Sequence, residues 1–114
     1  MTRSNKYNNR RVEIHGHKFD SQKEADRYLI LYSRVQSGEI SSLEIHPRYE
    51  IQPAFTDNKH KKHRAIYYEA DFEYMDNDYG LIVEDVKGFK TAVFKIKMKM
   101  FLRQYPFVDF KIVK

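Results

Sequence analysis

The chain has 114 residues, of which 41% are hydrophobic and 32% charged, a balance typical of one soluble globular domain and not of a disordered chain. It has no cysteine, which excludes disulfides and a thiolate zinc site and is compatible with a cytoplasmic protein. Lys and Arg number 21 against 16 acids, a net charge of +5. Nucleic acid is therefore a reasonable partner, although charge alone leaves a merely soluble basic protein equally open.

The first residues predict a basic arm and a short hairpin. Residues 1–11 are polar and basic, so we expect a flexible basic arm ahead of a single domain over residues 12–114. They lack the apolar segment of a signal peptide, and no apolar run in the sequence approaches the ~20 residues of a membrane span. Short strands are predicted over residues 12–14 and 17–19, with a turn at Gly16 between them.

A first helix is predicted to begin at Ser21. Ser21 and Glu24 fit a capping box, in which two residues satisfy backbone N–H groups at the start of a helix. Gly38 is suited to follow a helix that runs to about Gln36. The helical spacing of apolar residues predicts a buried stripe formed by Ala25, Tyr28, Leu29, Leu31, Tyr32 and Val35. The residues expected to face away from the core are Lys23, Arg27 and Arg34.

The remaining pattern combines strands with one more helix. We expect a bent strand over residues 40–53 interrupted at Pro47, a polar loop over 54–64, a strand over 66–75, a turn over 76–80, a central strand over 81–87, a helix over 91–104 and a last strand over 108–113. The predicted core-facing residues of the second helix are Val93, Phe94, Met100 and Phe101. The order α-β-β-β-α-β predicts an α/β fold with a mixed central sheet flanked by helices.

Three charged residues on the two middle strands form the candidate site. Residues two apart in a strand share a face, so Asp85 and Lys87 should project together while Glu84 points the opposite way. Adjacent antiparallel strands can place Asp71 beside Asp85. Converging carboxylates suit Mg²⁺ or Mn²⁺, which polarises a phosphoryl oxygen and activates water. A lysine alongside can orient that water and neutralise charge on the phosphate.

Each of these residues also has a purely structural explanation. On its own, the spacing of Asp85 and Lys87 is most often that of an ordinary surface ion pair. The presence of Asp71 before a hairpin, and of Glu24 at the edge of a buried helical stripe, makes a functional site the better interpretation. For Glu24 itself, the roles of helix cap and metal ligand stay equally open.

The segments Ala70-Asp71-Phe72 and Glu84-Asp85-Val86-Lys87-Gly88 together resemble the signature of the PD-(D/E)xK nucleases. The chain is similar to the small phage junction-resolving, endonuclease I-like members of that superfamily, from about Val12 to its C-terminus. Ala70 stands where a proline is usual, which affects only backbone stiffness. The second acid is Asp85, which the motif allows in place of glutamate.

This resemblance implies a restriction-endonuclease-like core and a metal-dependent DNA endonuclease. In such enzymes, the first-helix glutamate and the two motif acids hold Mg²⁺ or Mn²⁺, and the lysine serves the attacking water. Carried over to this chain, the resemblance assigns those roles to Glu24, Asp71, Asp85 and Lys87. The carbonyl of Val86 is a further candidate metal ligand.

The resemblance also implies auxiliary residues and a substrate class. Glu44 matches an additional acid of some junction resolvases. Lys97 matches an auxiliary basic residue of several relatives, although snorkelling to the surface from the apolar side of the second helix is the favoured interpretation. A junction resolvase cuts two strands at symmetric positions, so branched DNA as the substrate, a homodimer, a role in phage recombination and the host cytoplasm follow from the resemblance.

Basic residues around the candidate site predict contacts with the DNA backbone. As parts of a solvated surface they need no function, but beside a phosphodiesterase site the binding of phosphates is favoured. On the second helix, Lys95, Lys99 and Arg103 recur every four residues. The candidate DNA-binding residues are Lys59, Lys61, Lys62, Arg64, Lys90 and Lys95.

Three alternatives stay open on the sequence alone. The five histidines could contribute to a zinc site, with His15 and His17 spaced like a chelate on a strand and His60 and His63 flanking a loop, but no further ligand stands at a compelling spacing; the remaining histidine is His46. The chain could be a DNA-binding or scaffold protein that keeps a nuclease fold without catalysis, although such a protein has no reason to hold acids near phosphates. It could also be a nuclease of another substrate, of the nicking or restriction type.

Overall fold

The computed structural model describes residues 11–114, so the predicted arm, apart from Arg11, lies outside the described residues. The described chain has a mixed α/β fold with two helices, as predicted, and neither helix is long and apolar enough to cross a membrane. In chain order, the elements are β1 (Val12–Ile14), β2 (His17–Phe19), α1 (Gln22–Gln36), β3 (Ile40–Ile45), β4 (Arg48–Gln52), β5 (Phe55–Thr56), β6 (Lys62–His63), β7 (Ile66–Glu69), β8 (Phe72–Asp76), β9 (Gly80–Val86), α2 (Ala92–Gln104) and β10 (Asp109–Val113).

The largest sheet is mixed and has the strand order β10-β9-β8-β3. β9 pairs in parallel with β10 and antiparallel with β8, and β8 pairs antiparallel with β3. The parallel pair needs a long crossover, which α2 provides. β9 is central, as its apolar sequence predicts, and its residues 82–85 are buried.

Each of the two long strands predicted from the alternating pattern bends in the middle. The pattern over residues 40–53 becomes β3 and β4, and the pattern over residues 66–75 becomes β7 and β8. The two bends face each other: the backbone N–H of His46 donates to the Asp71 carbonyl at 3.0 Å, and the N–H of Ala70 donates to the Pro47 carbonyl at 3.0 Å. Pro47 has no N–H of its own, which favours an interruption of the ladder at this point.

The bends carry the chain from one hydrophobic core to another. Residues after the second bend, Phe72 and Tyr74, pack with Phe19 and Leu31 under α1. The residues before that bend instead pack with Phe101 and its neighbours under α2, and they are Tyr68 and Ala70. All four residues belong to one face of the predicted strand, and all are buried. Asp71 therefore lies where the chain passes between the two cores.

Both helices begin at the predicted positions, but not every predicted face is correct. Ser21 and Thr91 cap the helices by accepting hydrogen bonds from the N–H groups of Glu24 and Phe94. The prediction that Val93 faces the core is wrong, because 62% of it is exposed; Leu29 and Tyr32 are likewise exposed. The predicted polar loop over residues 54–64 contains the β5–β6 hairpin.

The prediction that Arg27 and Arg34 face away from the core is also wrong. Arg27 binds both carboxylate oxygens of Glu84, at 2.7 and 2.6 Å, and Glu84 is fully buried. Arg34 donates to the carboxylate of Asp76 at 2.9 Å. Each arginine of α1 pairs with an acid that is buried in the sheet and distant from it in sequence. Helical periodicity alone does not predict such a pair.

Arg27→Ala is expected to destabilise the protein by about 3–5 kcal/mol, because it leaves the Glu84 carboxylate buried and without its cationic partner. The measurement is urea unfolding of the wild type and the variant. Asp26→Ala, at the neighbouring exposed position, is the matched control and should change the free energy of unfolding by less than about 1 kcal/mol. An equally small effect of Arg27→Ala would show that the ion pair is not required for the fold.

Candidate active site

The structure brings the two motif acids together at the ends of β8 and β9. In the β8–β9 ladder, Phe72 is opposite Glu84, so the next pair outward is Asp71 and Asp85. The backbone N–H of Asp71 continues the ladder by donating to the Glu84 carbonyl at 3.1 Å. Glu84 and Asp85 project from opposite faces of β9, as predicted, which separates the Arg27 ion pair from the candidate site.

Asp85 is an almost fully buried carboxylate with only one of its oxygens hydrogen-bonded. The Tyr68 hydroxyl donates to Oδ2, and burial, followed by the charge of Asp85, raises the pKa of Tyr68 so that it remains a donor. No group among residues 11–114 donates a hydrogen bond to Oδ1, although Asp85 is only 1% exposed. A buried carboxylate oxygen without a donor is costly. A bound cation would satisfy it.

Lys87 shares the face of Asp85, as the alternation predicts. Its Nζ lies 3.4 Å from Oδ1 of Asp85 and 5.0 Å from the centre of the Phe94 ring. Its backbone N–H donates to the Val113 carbonyl at 2.9 Å, which fixes this end of β9 against β10. The ammonium is therefore held beside the acids on a half-buried side chain.

Asp71 is hydrogen-bonded to the sheet and lies next to other acids. Its Oδ2 accepts a hydrogen bond of 2.6 Å from the backbone N–H of Val86. Burial raises the pKa of Asp71 to about 6, and the charge of Glu24 adds to the effect, against the Val86 N–H, which lowers it. Burial likewise raises the pKa of Asp85 to about 6, with a further contribution from the charge of Asp71. Two close acids with raised pKa values are typical of a functional site.

Glu24 combines the geometry of a helix cap with a position in the acidic cluster. Its backbone N–H donates to Ser21 Oγ at 3.2 Å, but its side chain accepts from the N–H of Asp20, at 3.1 Å, instead of from Ser21. The other carboxylate oxygen lies 2.6 Å from Nε2 of His46. One potential ligand atom from each of Glu24, His46 and Asp71 lies within 4.8 Å of the other two. Glu24 therefore has one oxygen in the cap and one in the cluster.

The other predicted site residues are distributed over several elements. Val86 follows Asp85 on β9, and Glu44 is exposed on β3, opposite Glu73. Lys97 is half-buried on α2. All predicted DNA-binding residues are exposed: Lys59, Lys61, Lys62 and Arg64 on or beside the β5–β6 hairpin, Lys90 before α2, and Lys95 on α2.

Sequence reasoning did not single out His46 or Tyr68 for this site. The only signal for His46 was its position before Pro47, at the interruption of a strand. In the two histidine pairs considered for zinc, His15 binds the Tyr28 hydroxyl at 2.8 Å, and His63 binds Asp57 at 2.9 Å. Among the described residues, His46 is the only histidine in a group of three potential metal ligands.

The raised pKa values of Asp71 and Asp85 predict a pH dependence of the metal-free protein. In the unfolded chain these carboxyls ionise near their ordinary pKa of 3.8, whereas in the folded protein they retain their protons up to about 6. The folded state thus binds more protons between these values, so this pair's contribution to the free energy of unfolding falls as the pH rises from about 4 to about 6. Above about pH 6 both carboxyls are ionised in the folded and the unfolded protein, so the pair's contribution to the free energy of unfolding falls no further.

The measurement is urea unfolding in EDTA across this pH range, for the wild type and for the Asp71→Asn/Asp85→Asn double variant. In the double variant, the free energy of unfolding should lack the decrease that this pair causes. Adding Mn²⁺ above pH 6 should raise the free energy of unfolding of the wild type only. The difference between the two proteins isolates the pair from acids such as Asp76, whose lowered pKa produces the opposite trend. A constant difference across the range would contradict the burial of both carboxylates.

Comparison with known proteins identifies a family but assigns no activity. No curated protein and no solved structure matches the chain. The family model described as "Protein of unknown function (DUF1064)" matches residues 4–114, which is nearly the whole chain. The protein therefore belongs to the DUF1064 family.

Proposed function

We propose that this protein is a metal-dependent DNA endonuclease with a restriction-endonuclease-like core. The observation that carries the proposal is the Oδ1 atom of Asp85, which is buried without a hydrogen-bond donor and lies 3.4 Å from the ammonium of Lys87. Asp71 lies next to Asp85, and on its other side Asp71 belongs with Glu24 and His46 to a group of three potential metal ligands. A non-catalytic binding module has no use for acids that repel phosphate.

The donor set fits Mg²⁺ or Mn²⁺, since it consists mainly of carboxylate oxygens. Glu24, Asp71 and Asp85 would hold the ion, with the Val86 carbonyl as a further ligand. The bound ion would supply Lewis acidity towards the phosphoryl oxygen and the attacking water. In the reaction, water attacks phosphorus and loses a proton while one phosphodiester P–O bond breaks, so that one product ends in a phosphate and the leaving oxygen takes up a proton to become a hydroxyl.

Lys87 contributes the positive charge that the reaction needs next to the phosphate. Its Nζ is held in place by Asp85 on one side and by the Phe94 ring on the other. From there it can orient the attacking water and neutralise charge that develops on the phosphoryl oxygens. Tyr68 keeps the Asp85 side chain in a fixed orientation by donating to its other oxygen.

The β5–β6 hairpin offers a preorganised surface for the DNA backbone. Asp57 fixes its turn by accepting hydrogen bonds from the N–H groups of Lys59 and Lys61, at 2.8 and 3.0 Å. Their cationic side chains are exposed together with that of Lys62. Phosphate contacts of this kind provide affinity that is largely independent of sequence.

Neutralising Lys59, Lys61 and Lys62 together, each to Gln, is expected to weaken DNA binding and its salt dependence. The slope of log K against log salt should become shallower by ~0.9 for each phosphate of duplex DNA that the variant no longer neutralises. The measurement is fluorescence anisotropy across a salt series, with Lys18→Gln on β2 as the control. An unchanged slope would remove this hairpin from the DNA interface.

For the substrate, we favour branched DNA of the Holliday-junction type, cut by a homodimer during phage recombination in the host cytoplasm. This part rests on the resemblance to junction-resolving endonucleases and not on a described contact. The experiment compares matched four-way, flap, linear and single-stranded DNAs, each with Mg²⁺, Mn²⁺ or EDTA. Metal-dependent cutting that is strongest on the four-way junction supports the proposal. Preference for another DNA would identify a nicking or restriction-type nuclease, and binding without cutting of any DNA would favour the scaffold alternative.

A further inference from the structure

His46 is fixed to the same piece of backbone as Asp71. Its N–H donates to the Asp71 carbonyl at 3.0 Å, at the point where the two bends face each other. Its φ of +56° places it in the left-handed region, which histidine, like asparagine and aspartate, adopts more often than other residues with a side chain. The bend thus holds the His46 side chain next to the acids.

The imidazole faces the acidic cluster from its more open side. Nε2 of His46 lies 2.6 Å from Oε2 of Glu24, and the side chains are 29% and 5% exposed, respectively. Oε1 of Glu24 is already engaged by the N–H of Asp20. The oxygen directed at His46 is therefore the one that Glu24 can offer to a cation, and the ligand atoms of these two residues and Asp71 lie within 4.8 Å of one another.

From this arrangement we propose that Nε2 of His46 is a metal ligand and that it makes the site select Mn²⁺ over Mg²⁺. This inference rests on the metal site of the proposed function and deepens it. Mg²⁺ prefers all-oxygen coordination, whereas an imidazole nitrogen favours a first-row transition ion, among which Mn²⁺ binds most weakly and is also the one suited to carboxylate ligands. A set of carboxylates joined by one imidazole therefore suits Mn²⁺ better than Mg²⁺. When Nε2 binds the metal, the hydrogen of the neutral imidazole ring is on Nδ1.

A different role would be positioning alone, in which Nε2 keeps its hydrogen and orients Glu24 by the existing hydrogen bond. The two roles differ in whether nitrogen is bound to the metal. Mn²⁺ is paramagnetic, so electron spin-echo modulation from a directly bound imidazole nitrogen reports ligation without any measurement of DNA cleavage. The test therefore does not depend on activity.

The experiment uses the tag-free chain of 114 residues as wild type, His46→Asn, and the control His17→Gln, which changes an exposed histidine on β2. Asparagine tolerates the left-handed conformation at position 46, so the backbone should be retained. The wild type and the control should show nitrogen modulation with Mn²⁺, and His46→Asn should show none. Calorimetric titration should give a loss of Mn²⁺ affinity of about 10–100-fold or more in His46→Asn, with a much smaller change for Mg²⁺.

Two outcomes would overturn the inference: wild type that binds Mn²⁺ without nitrogen modulation, or His46→Asn with an unchanged ratio of Mn²⁺ to Mg²⁺ affinity. If His46→Asn fails to fold, His46→Asp also suits the backbone and must likewise lose the nitrogen modulation. Nitrogen ligation in a protein that cuts no DNA would contradict the proposed function and leave this inference standing. DNA cleavage without nitrogen ligation would contradict this inference and leave the proposed function standing. A protein that binds neither Mn²⁺ nor Mg²⁺ would contradict both the inference and the proposed function.

Discussion

Asp85→Asn is expected to lower the single-turnover rate of DNA cleavage by about 10²–10³-fold or more, the loss typical of removing a preorganised electrostatic group. Asparagine has the size of aspartate and keeps one carbonyl oxygen for the Tyr68 hydroxyl, so the fold should be retained. It removes the negative charge at the position where Oδ1 is buried without a donor. Asp71→Asn should have a similar effect, because that acid is shared between Val86 and the cluster.

DNA binding by these two variants should be unchanged or tighter, since a carboxylate that repels phosphate is removed. The matched control is Asp109→Asn, at an exposed position on the neighbouring strand β10. The measurement pairs single-turnover cleavage with anisotropy on the same DNA. Near-normal turnover by Asp85→Asn or Asp71→Asn would show that the reaction occurs elsewhere on the protein.

Lys87→Ala is expected to lower the cleavage rate by about 10²–10⁴-fold, the range for the loss of a positioned proton-transfer group. Metal binding should survive, because the proposed ligands are the acids and His46 and not the ammonium. Lys87→Arg keeps the charge but differs in shape and hydrogen-bonding geometry, so it should recover only part of the rate. The measurement is single-turnover cleavage of a four-way junction, with Mn²⁺ affinity determined in parallel.

Lys18→Ala, at an exposed position on β2, is the control for the loss of a surface charge. Equal rates for wild type and Lys87→Ala would reduce Lys87 to an ion-pair partner of Asp85. A loss of Mn²⁺ affinity that accounts for the whole loss of rate would instead mean that Lys87 acts by supporting the metal site.

Local sequence patterns predict much of this fold. The cap at Ser21, the spacing of Tyr28 and Leu31, and the apolar run of β9 each specify an element through contacts a few residues apart. The same alternation that defines β9 also places Asp85 and Lys87 on one face. These parts need no knowledge of how distant segments pack.

The remaining features depend on contacts between distant segments. Alternation continues through Ala70 and Asp71, so the sequence does not reveal that the strand bends there and passes from one core to the other. The partnership of Arg27 with Glu84 joins residues 57 positions apart, and His46 reaches Glu24 only because two bends face each other. Each of these was missed because helical or strand periodicity describes one element at a time.

The central claim is that the cluster of Glu24, Asp71 and Asp85 holds a cation that enables Lys87 to act on a phosphodiester. The most direct measurement is a Mn²⁺ titration in which metal occupancy and the single-turnover rate of junction cleavage are followed on the same wild-type sample, beside Asp71→Asn. We expect occupancy and rate to saturate together in the wild type, with no cleavage in EDTA and both curves abolished or strongly weakened in the variant. Wild type that binds Mn²⁺ in this cluster and cuts no DNA, or that cuts equally well in EDTA, would contradict the claim.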